Sequence, residues 1–343
     1  MSARERGVAF GDGISCVRFL GGGETQLLAA ACWDGSVSLV DAARREVLAR
    51  RQHGGAALAC CAAGADGGAV ASGGADGAVL VGDLRQGGAA DEVGRHGAAV
   101  SKLSFEGSAG LVVSGGLDRC VKYWDVRARG AAAETRVAGK VFALDACGGR
   151  VLVACAGRAL LLFDSRNLSR PLAQPEPPLD YQTRCVRFFP DASGFAVGCI
   201  AGRVAVESLG MGGAGAAAAP IFSLSGGDGA PKGRFSFKCH RSEDGRIWPV
   251  NALAFHPVWS SLATGGGDAT VSVWDPRGQR RVSAAQSYSN SVAALDFSPD
   301  GRILAVAVSY CFEEGDLAAR FGRDELVLRE VHEADVKPRP RAA

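Results

Sequence analysis

The feature of this sequence that most restricts its fold is a segment that occurs twice with the same spacing. Residues 115–125 and 265–275 each read Gly-Gly-x-Asp, two further residues, and an alternating run that ends in Trp-Asp. Degraded copies end at Asp41 and Asp83. Counting along the chain, intervals of 42, 42 and 39 residues separate four aspartates: Asp41, Asp83, Asp125 and Asp164. This periodicity indicates a fold assembled from repeated supersecondary units.

A period of about 40 to 45 residues with a terminal Trp-Asp is typical of WD40 blades, each made of four antiparallel strands. The sequence therefore predicts an all-β fold, a seven-bladed WD40 β-propeller that forms a single domain over residues 7–331. Residues 7–10 are expected to pair near residues 326–329 and close the ring, because closure removes open sheet edges. Residues 332–343 are expected to be a disordered tail.

Three stretches break the regular pattern. Residues 171–178 carry four prolines, too many for a strand ladder, and are interpreted as a linker. Residues 210–246 are expected to join blade five to blade six, with a flexible low-complexity loop of Gly and Ala over 212–219. Residues 310–324 are a second insertion, placed within blade seven.

Composition excludes several classes of protein. The 38 basic and 36 acidic residues give a net charge of +2, so no global field favours nucleic acid or a membrane surface. No run reaches the ~20 apolar residues of a membrane span, and the start lacks the apolar region of a secretory signal. Eleven cysteines occur without a Cys-x-x-Cys pair. We expect reduced, buried thiols in a nuclear or cytosolic protein, not a zinc site.

The sequence offers little for catalysis. It lacks a Gly-x-Ser-x-Gly elbow, a His-Glu-x-x-His helix and a Walker loop. Paired carboxylates are an alternative role for Asp76, Asp118 and Asp268, but their recurrence once per blade favours bracing of tight turns. His96 stands where WD40 blades place a structural histidine, and this favours a structural role over that of a base. We predict a non-enzymatic protein without cofactor or metal.

Four segments follow one another in a distinctive order: 184–187 ahead of Phe189-Pro190, 202–207, 235–241 and 249–256. In this order, ahead of a Gly-Gly-x-Asp blade, they resemble the spindle-checkpoint WD-repeat proteins of the budding-uninhibited-by-benzimidazole family. The sister family, the Rae-type messenger-RNA export factors, shares the resemblance. The Phe-Lys-Cys-His-Arg run and Ser309-Tyr310 are more similar to the checkpoint family. The resemblance extends over about residues 14–337.

The resemblance implies a non-enzymatic adaptor of the mitotic spindle assembly checkpoint, placed in the nucleus and at the centromere and kinetochore of chromosomes, with a cytoplasmic pool. In this family one face of the ring, the top, binds GLEBS segments of the checkpoint kinase and of its pseudokinase-like relative. A side site binds phosphorylated Met-Glu-Leu-Thr repeats of the outer-kinetochore scaffold. Ubiquitin-binding or nucleoporin proteins are further partners that it implies, and neither a membrane nor direct DNA binding is expected.

Carried over by position, the phosphate site falls on Arg203 and Lys238. A phosphothreonine carries a charge of about −1.5 to −2, which an Arg fork and a Lys ammonium can bind together. Residues 182–246 contain eight basic and five acidic residues, a net charge of +3. We expect Arg203 and Lys238 to converge across blades five and six; the alternative is an ordinary solvated blade rim.

For the GLEBS site, the family uses aromatic residues at the top of blades one and three. Trp33 matches the first, whereas Leu117 stands where the family has Trp. Leu keeps apolar contact but loses the flat ring and the N–H donor of Trp. The export-factor alternative would replace kinetochore peptides by a nucleoporin GLEBS segment and RNA.

Overall fold

The structure, a computed structural model, describes residues 5–21, 26–64, 68–86, 90–126, 130–209, 234–313, 315 and 322–339. Over these ranges the chain forms 28 β-strands and one short α-helix, with 3-10 turns at Leu84–Gln86 and Ala156–Arg158. The elements are β1 (Glu5–Ala9), β2 (Ile14–Phe19), β3 (Leu27–Cys32), β4 (Ser36–Asp41), β5 (Glu46–Gln52), β6 (Ala57–Ala62), β7 (Val70–Gly74), β8 (Ala78–Gly82), β9 (Asp91–Arg95), β10 (Val100–Glu106), β11 (Leu111–Gly116), β12 (Cys120–Asp125), β13 (Ala131–Arg136), β14 (Val141–Cys147), β15 (Arg150–Cys155), β16 (Leu160–Asp164), β17 (Thr183–Phe188), β18 (Gly194–Cys199), β19 (Arg203–Ser208), β20 (Arg234–Lys238), β21 (Val250–Phe255), β22 (Leu262–Gly266), β23 (Thr270–Asp275), β24 (Arg280–Arg281), β25 (Gln286–Ser287), β26 (Val292–Phe297), β27 (Ile303–Val308), β28 (Glu325–Glu330) and α1 (Glu333–Val336).

The strands form seven antiparallel sheets, which are the blades of a propeller. Blades one to seven begin at β2, β6, β10, β14, β17, β21 and β26, the strands that line the centre. Each of these inner strands packs beside the inner strand of the next blade, and β26 packs beside β2. The all-β, seven-bladed prediction is therefore confirmed.

The N-terminal strand closes the ring. Strand β1 pairs with β28 as the outer strand of blade seven, with Gly7 opposite Val327 and Val8 opposite Leu326. The N–H of Phe10 extends the pairing by a 3.1 Å hydrogen bond to the carbonyl of Asp324. Velcro-like closure of this kind gives the last blade a strand from the opposite end of the chain, as the sequence predicts.

The first glycine of each Gly-Gly-x-Asp motif is needed for packing between blades. A Cβ atom added to Gly73, Gly115 or Gly265 would lie 2.4, 2.4 or 2.5 Å from a valine of the next blade. In each case that valine is the first residue of the inner strand: Val100, Val141 and Val292. Since real Cβ contacts are far longer, only glycine allows neighbouring blades to approach this closely.

The second glycine leaves space for a buried histidine. In blade three, His96 Nδ1 lies 3.0 Å from Asp118 Oδ1, and His96 Nε2 lies 2.7 Å from Ser114 Oγ. The indole N–H of Trp124 donates to the same hydroxyl at 2.8 Å. A Cβ on Gly116 would lie 2.4 Å from the imidazole. The motif thus encodes a four-residue hydrogen-bond network, and the structural interpretation of His96 and Asp118 agrees with it.

Blade six repeats this network with His240, Asp268, Thr264 and Trp274. In both blades the turn aspartate also accepts a backbone N–H, from Cys120 at 3.1 Å and from Thr270 at 3.2 Å. Burial alone would raise the pKa of Asp118, but hydrogen bonds from His96 and Gly97 bring that pKa below its usual value. These aspartates therefore brace turns.

Blade two keeps only part of the network: it has lost the tryptophan, and His53 Nδ1 lies 3.9 Å from Asp76 Oδ1, too far for a hydrogen bond. Gly82 occupies the Trp position, and the side chain of Arg51, from the outer strand of blade one, enters the vacant space. Arg51 Nη2 donates to Ser72 Oγ at 2.7 Å and to the carbonyl of Val70 at 3.2 Å. The Ser72 hydroxyl also contacts His53 Nε2 at 2.8 Å. Burial lowers the pKa of Arg51 to about 10. A guanidinium thus replaces the indole donor.

Charged side chains connect four blades across the central channel. The guanidinium of Arg187 contacts Asp145 of blade four at 3.2 Å and Asp296 of blade seven at 2.7 Å. Arg18 of blade one adds a 3.6 Å contact to Asp296. All four side chains are largely buried, so these ion pairs are shielded from salt.

Two expectations about the irregular segments are corrected. The expected disordered tail is ordered over residues 332–339, because α1 places Val336 in the core between blades six and seven, where it is 2% exposed. The ammonium of Lys337 lies 4.6 Å from the ring centroid of Trp259. Residues 340–343 and the Gly-Ala run at 212–219 lie outside the described residues.

The second correction concerns the insertion between blades five and six. Residues 234–238 of the expected 210–246 connection form β20, the outer strand of blade five. The four-proline segment makes only one isolated bridge, between Leu162 and Ala173, so blade four has three regular strands. This agrees with its interpretation as a linker.

Nine of the eleven cysteines are buried and all eleven are free thiols, in agreement with their interpretation as small core residues. In the described part of the chain no helix has the length and apolar character needed to cross a bilayer. Nor do three or more His, Cys, Asp or Glu side chains gather, within those residues, to form a metal-binding group.

The role of Arg51 can be tested by equilibrium unfolding. We expect Arg51→Ala to lower the free energy of unfolding by about 2 kcal/mol, because the Ser72 hydroxyl and the Val70 carbonyl lose their charged donor. The matched control is Arg281→Ala, which truncates an exposed arginine on an outer strand and should change stability by less than ~0.5 kcal/mol. Equal stability of the two variants would contradict the assignment.

Candidate peptide-binding surfaces

Arg203 and Lys238 lie directly opposite each other on neighbouring strands. Arg203 begins β19, Lys238 ends β20, and the antiparallel register pairs the two residues. Side chains of directly opposed residues leave the sheet on the same face, with Cβ atoms ~5 Å apart. Arg203 is half-buried and Lys238 is exposed. The two charges are therefore close together and accessible.

Within the described part of the chain, neither of the two cations has a counter-charge. Among the described residues, no carboxylate lies within 4.0 Å of the Arg203 guanidinium or the Lys238 ammonium. Like charges directly opposite each other destabilise a strand pair. An anion bound between them would remove this repulsion and add charge-assisted hydrogen bonds.

This arrangement corrects one expectation. We expected Arg203 and Lys238 to meet across blades five and six, but both belong to blade five. The reason is that the chain returns after residue 233 as the outer strand of the same blade. The alternation of β19 supports the same placement, since Val204 and Val206 pack toward blade six while Ala205 packs with Leu160 and Leu162 of blade four. Arg203 thus faces blade four.

Strand β20 is fixed to the blade by contacts on both faces. On the face toward blade six, the ring centroid of Phe237 lies 4.4 Å from that of Trp274. On the other face, Arg234 forms an ion pair with the buried carboxylate of Glu207, whose pKa is raised by burial. Arg234 Nη2 also donates to the carbonyl of Glu176 at 2.7 Å. These contacts hold Lys238 in place opposite Arg203.

A second candidate surface is the face of the ring formed by the turns between the second and third strands, called the top face. One residue in each of these turns donates its N–H, at 2.8 to 3.1 Å, to the residue that precedes the inner strand. In order from blade one to blade seven, the turn residues are Trp33, Ala75, Leu117, Ala156, Ile200, Gly267 and Ser309. Trp33 and Leu117 are therefore equivalent positions of blades one and three.

The two residues differ in what they offer a partner. Trp33 is 54% exposed, which is unusual for so large an apolar side chain. Leu117 is half-buried. Both lie on the top face, separated by the turn of blade two with its small Ala75.

Comparisons with known proteins place the chain in a family. The repeat family described as "WD domain, G-beta repeat" matches residues 92–125 and 232–275. The "Mitotic checkpoint protein bub-3" of Caenorhabditis elegans is 34% identical over 335 residues, which cover 95% of this chain and 93% of that protein. The chain belongs to the Bub3 family.

Other relatives match shorter regions. The "Mitotic checkpoint protein BUB3.1" of Arabidopsis thaliana is 41% identical over 205 residues, 59% of this chain and 55% of that protein. "Protein RAE1" of the same plant is 33% identical over 59% of this chain and 53% of that protein. The chain thus spans about half the length of several relatives that it matches.

Solved structures support the fold alone. The chain superposes on a structure titled "Structure of U3-55K" with a TM-score of 0.76, covering 96% of this chain and 99% of that one. The sequence identity of that pair is 17%. The seven-bladed WD40 propeller of this Bub3-family chain is therefore confirmed.

Sequence reasoning missed apolar residues near blade five of this Bub3-family chain. Ile200, the top-face turn residue of blade five, is 47% exposed, and the nearby Tyr181 and Ile247 are 50% and 48% exposed. Ile247 lies beside the same turn, since a Cβ on Gly202 would be 3.1 Å from its side chain. The signal for Ile200 was present, because it occupies the same place in the repeat as Trp33.

The attachment of β20 in this Bub3-family chain gives a test of the geometry. We expect Phe237→Ala to reduce the free energy of unfolding by about 2 kcal/mol, since a half-buried ring loses its contact with Trp274. Amide hydrogen exchange in residues 234–238 should accelerate. Phe312→Ala, which truncates a ring that is 65% exposed, is the control. Unchanged exchange in residues 234–238 would show that Phe237 does not hold the strand.

Proposed function

We propose that this chain is a non-enzymatic adaptor of the mitotic checkpoint. It joins two peptides, a phosphothreonine segment at Arg203 and Lys238 and a GLEBS segment on the top face near Trp33 and Leu117. The proposed partners are phosphorylated repeats of the outer-kinetochore scaffold for the first site and the checkpoint kinases for the second. The proposed place of action is the kinetochore, and further pools of the protein are proposed in the nucleus and the cytoplasm.

The observation that carries the proposal is the unpaired cation pair. Arg203 and Lys238 are opposed across one strand pair, on an accessible face, without a carboxylate partner in the described residues. On that face Glu207 and Arg234 lie four register positions away and already form an ion pair with each other. A group with two negative charges and several acceptor oxygens matches this site better than a single carboxylate does.

The GLEBS site rests on apolar surface. Exposed apolar residues on the top face include Trp33, Ile200 and Phe312, and such residues are suited to anchor a peptide. A nucleoporin GLEBS segment, which an export factor would bind, needs the same type of surface. Binding at Arg203 and Lys238 is therefore what separates the checkpoint function from the export function.

The phosphate site predicts strict dependence on phosphorylation. By isothermal titration calorimetry, a phosphorylated Met-Glu-Leu-Thr peptide should bind and its unphosphorylated form should not. Arg203→Ala and Lys238→Ala should each weaken binding by about tenfold or more, because one charge-assisted contact is worth roughly 1.5 to 3 kcal/mol. Binding should also weaken with salt.

Two further variants sharpen this experiment. Arg203→Lys should lose affinity, because one ammonium cannot replace the two parallel N–H donors of the guanidinium fork. Arg246→Ala, which removes an exposed arginine of the following loop, is the matched control and should bind normally. Equal binding of both peptide forms would contradict the proposal and leave the export function as the better explanation.

The top face predicts a separate effect. Trp33→Ala should weaken binding of a checkpoint-kinase GLEBS peptide by at least about 2 kcal/mol, since exposed aromatic anchors dominate such interfaces. Leu117→Trp should tighten binding, because it adds a flat ring and an N–H donor. Neither variant should alter binding of the phosphopeptide. Calorimetry with no change for both variants would place the GLEBS segment elsewhere.

A further inference from the structure

An open depression of about 370 Å³ lies on the top face where blades five, six and seven meet. Its walls come from the loops that lead into the inner strands of blades six and seven and from the turns of those blades. Gly267, the turn residue of blade six, lies in its lining. The turns of blades one, three and five carry large side chains at the equivalent position, whereas glycine leaves room for this hollow.

Glu313 gives the depression a carboxylate whose hydrogen-bond donors are neutral. Its Oε1 accepts a hydrogen bond from Asn251 Nδ2 at 3.1 Å, and its Oε2 accepts one from Ser291 Oγ at 3.0 Å. Both donors are neutral, and within the described residues no Lys, Arg or His nitrogen lies within 4.0 Å of this carboxylate. A Cβ on Gly267 would lie 2.8 Å from Oε1. Glycine is therefore also required for the carboxylate to occupy this position.

An amide side chain in the lining of the depression offers a second polar group to a ligand. Asn290 is 3% exposed, and its Oδ1 accepts the N–H of Ser291 at 2.9 Å. Its NH₂ group has no hydrogen-bond partner among the described residues. The NH₂ group is not among the buried polar atoms that lack a partner, so it is open to the solvent of the depression and can donate to a carbonyl oxygen of a bound chain.

The remaining walls fit a flat or extended cation. Trp248 and Tyr310 are both half-buried in the lining, and aromatic rings attract cations, most strongly arginine. The other two carboxylates of the lining are already engaged, since Asp244 pairs with Arg246 at 3.1 Å and Asp268 Oδ1 lies 2.8 Å from His240 Nδ1. Glu313 is thus the acceptor that a cation entering the hollow would meet.

We propose that this depression binds a basic side chain, lysine or arginine, of the peptide that lies on the top face. The cation pairs with Glu313 between Trp248 and Tyr310, and a main-chain carbonyl of the same peptide accepts from Asn290. The identity of the peptide as a GLEBS segment rests on the proposed function. The site gives the top face an electrostatic anchor in addition to Trp33, in a chain whose blade-three position holds Leu117.

The test is a double-mutant cycle measured by calorimetry on the full chain. Each lysine and arginine of a checkpoint-kinase GLEBS peptide is replaced in turn by glutamine, and each peptide is titrated into wild-type protein and Glu313→Gln. For one basic position, the unmodified peptide should bind Glu313→Gln about fivefold or more weakly, as expected for loss of a charge-assisted contact. The peptide with glutamine at that position should bind both proteins equally.

The Glu313→Gln substitution keeps the shape of the side chain and an acceptor oxygen, so the fold is preserved. Glu330→Gln, which removes an exposed carboxylate paired with Arg45 outside the top face, is the charge-matched control and should bind like wild type. If the GLEBS peptide binds but no basic position is coupled to Glu313, the inference is wrong while the proposed function stands.

Loss of all GLEBS binding would instead remove the proposed function, and a small probe then decides the inference alone. N-acetyl-arginine methylamide and N-acetyl-lysine methylamide should shift the NMR signal of the Trp248 indole N–H, and the citrulline analogue should not. Glu313→Gln should abolish these shifts. Equal shifts with the citrulline analogue, or no shift with either cation, would overturn the proposal.

Discussion

Several junctions between neighbouring blades depend on the close contact between a glycine near the end of one blade's second strand and a valine at the start of the next blade. Gly73, Gly115 and Gly265 allow approaches that any side chain would block. This contact fixes the spacing of neighbouring inner strands. The adjacent glycine leaves room for the histidine network, which ties the top turn to the strands behind it. The packed blades therefore fix the positions of the top-face turns that carry Trp33, Leu117 and Ile200.

Much of the fold was predictable because the residues that make these contacts lie within short motifs of the repeat. The spacing of the Gly-Gly-x-Asp motifs predicted the blades. A closing strand was expected because an open last blade would leave backbone N–H and C=O groups unpaired at its edge, and β1 is that strand. Blade two was harder, because Arg51 replaces a tryptophan from a position outside the motif. The order of the tail was also missed, since one buried residue, Val336, decides it and no periodicity marks a four-residue helix.

The candidate sites show where sequence reasoning ends. The resemblance supplied Arg203 and Lys238. Their direct pairing could not be predicted, because it requires the chain to form β20 in the same blade after a long insertion that follows β19. The resemblance also supplied Trp33, and Ile200 could have been found because it occupies the equivalent position of the repeat in blade five. The depression at Glu313 could not be foreseen, because its lining comes from residues spread over 242–313 that only the closed ring brings together.

The side site and the top face differ in the physics that would drive binding. The first is an electrostatic site on β19 and β20, and the second is an apolar surface around the ring's turns, so the proposed adaptor would bind its two peptides at separate places. The most direct test is hydrogen–deuterium exchange of the whole chain with a phosphorylated Met-Glu-Leu-Thr peptide. The account predicts slower exchange in β19 and β20, with the turn at Trp33 unchanged and no effect from the unphosphorylated peptide. Protection confined to the top-face turns, or the same protection without phosphate, would contradict it.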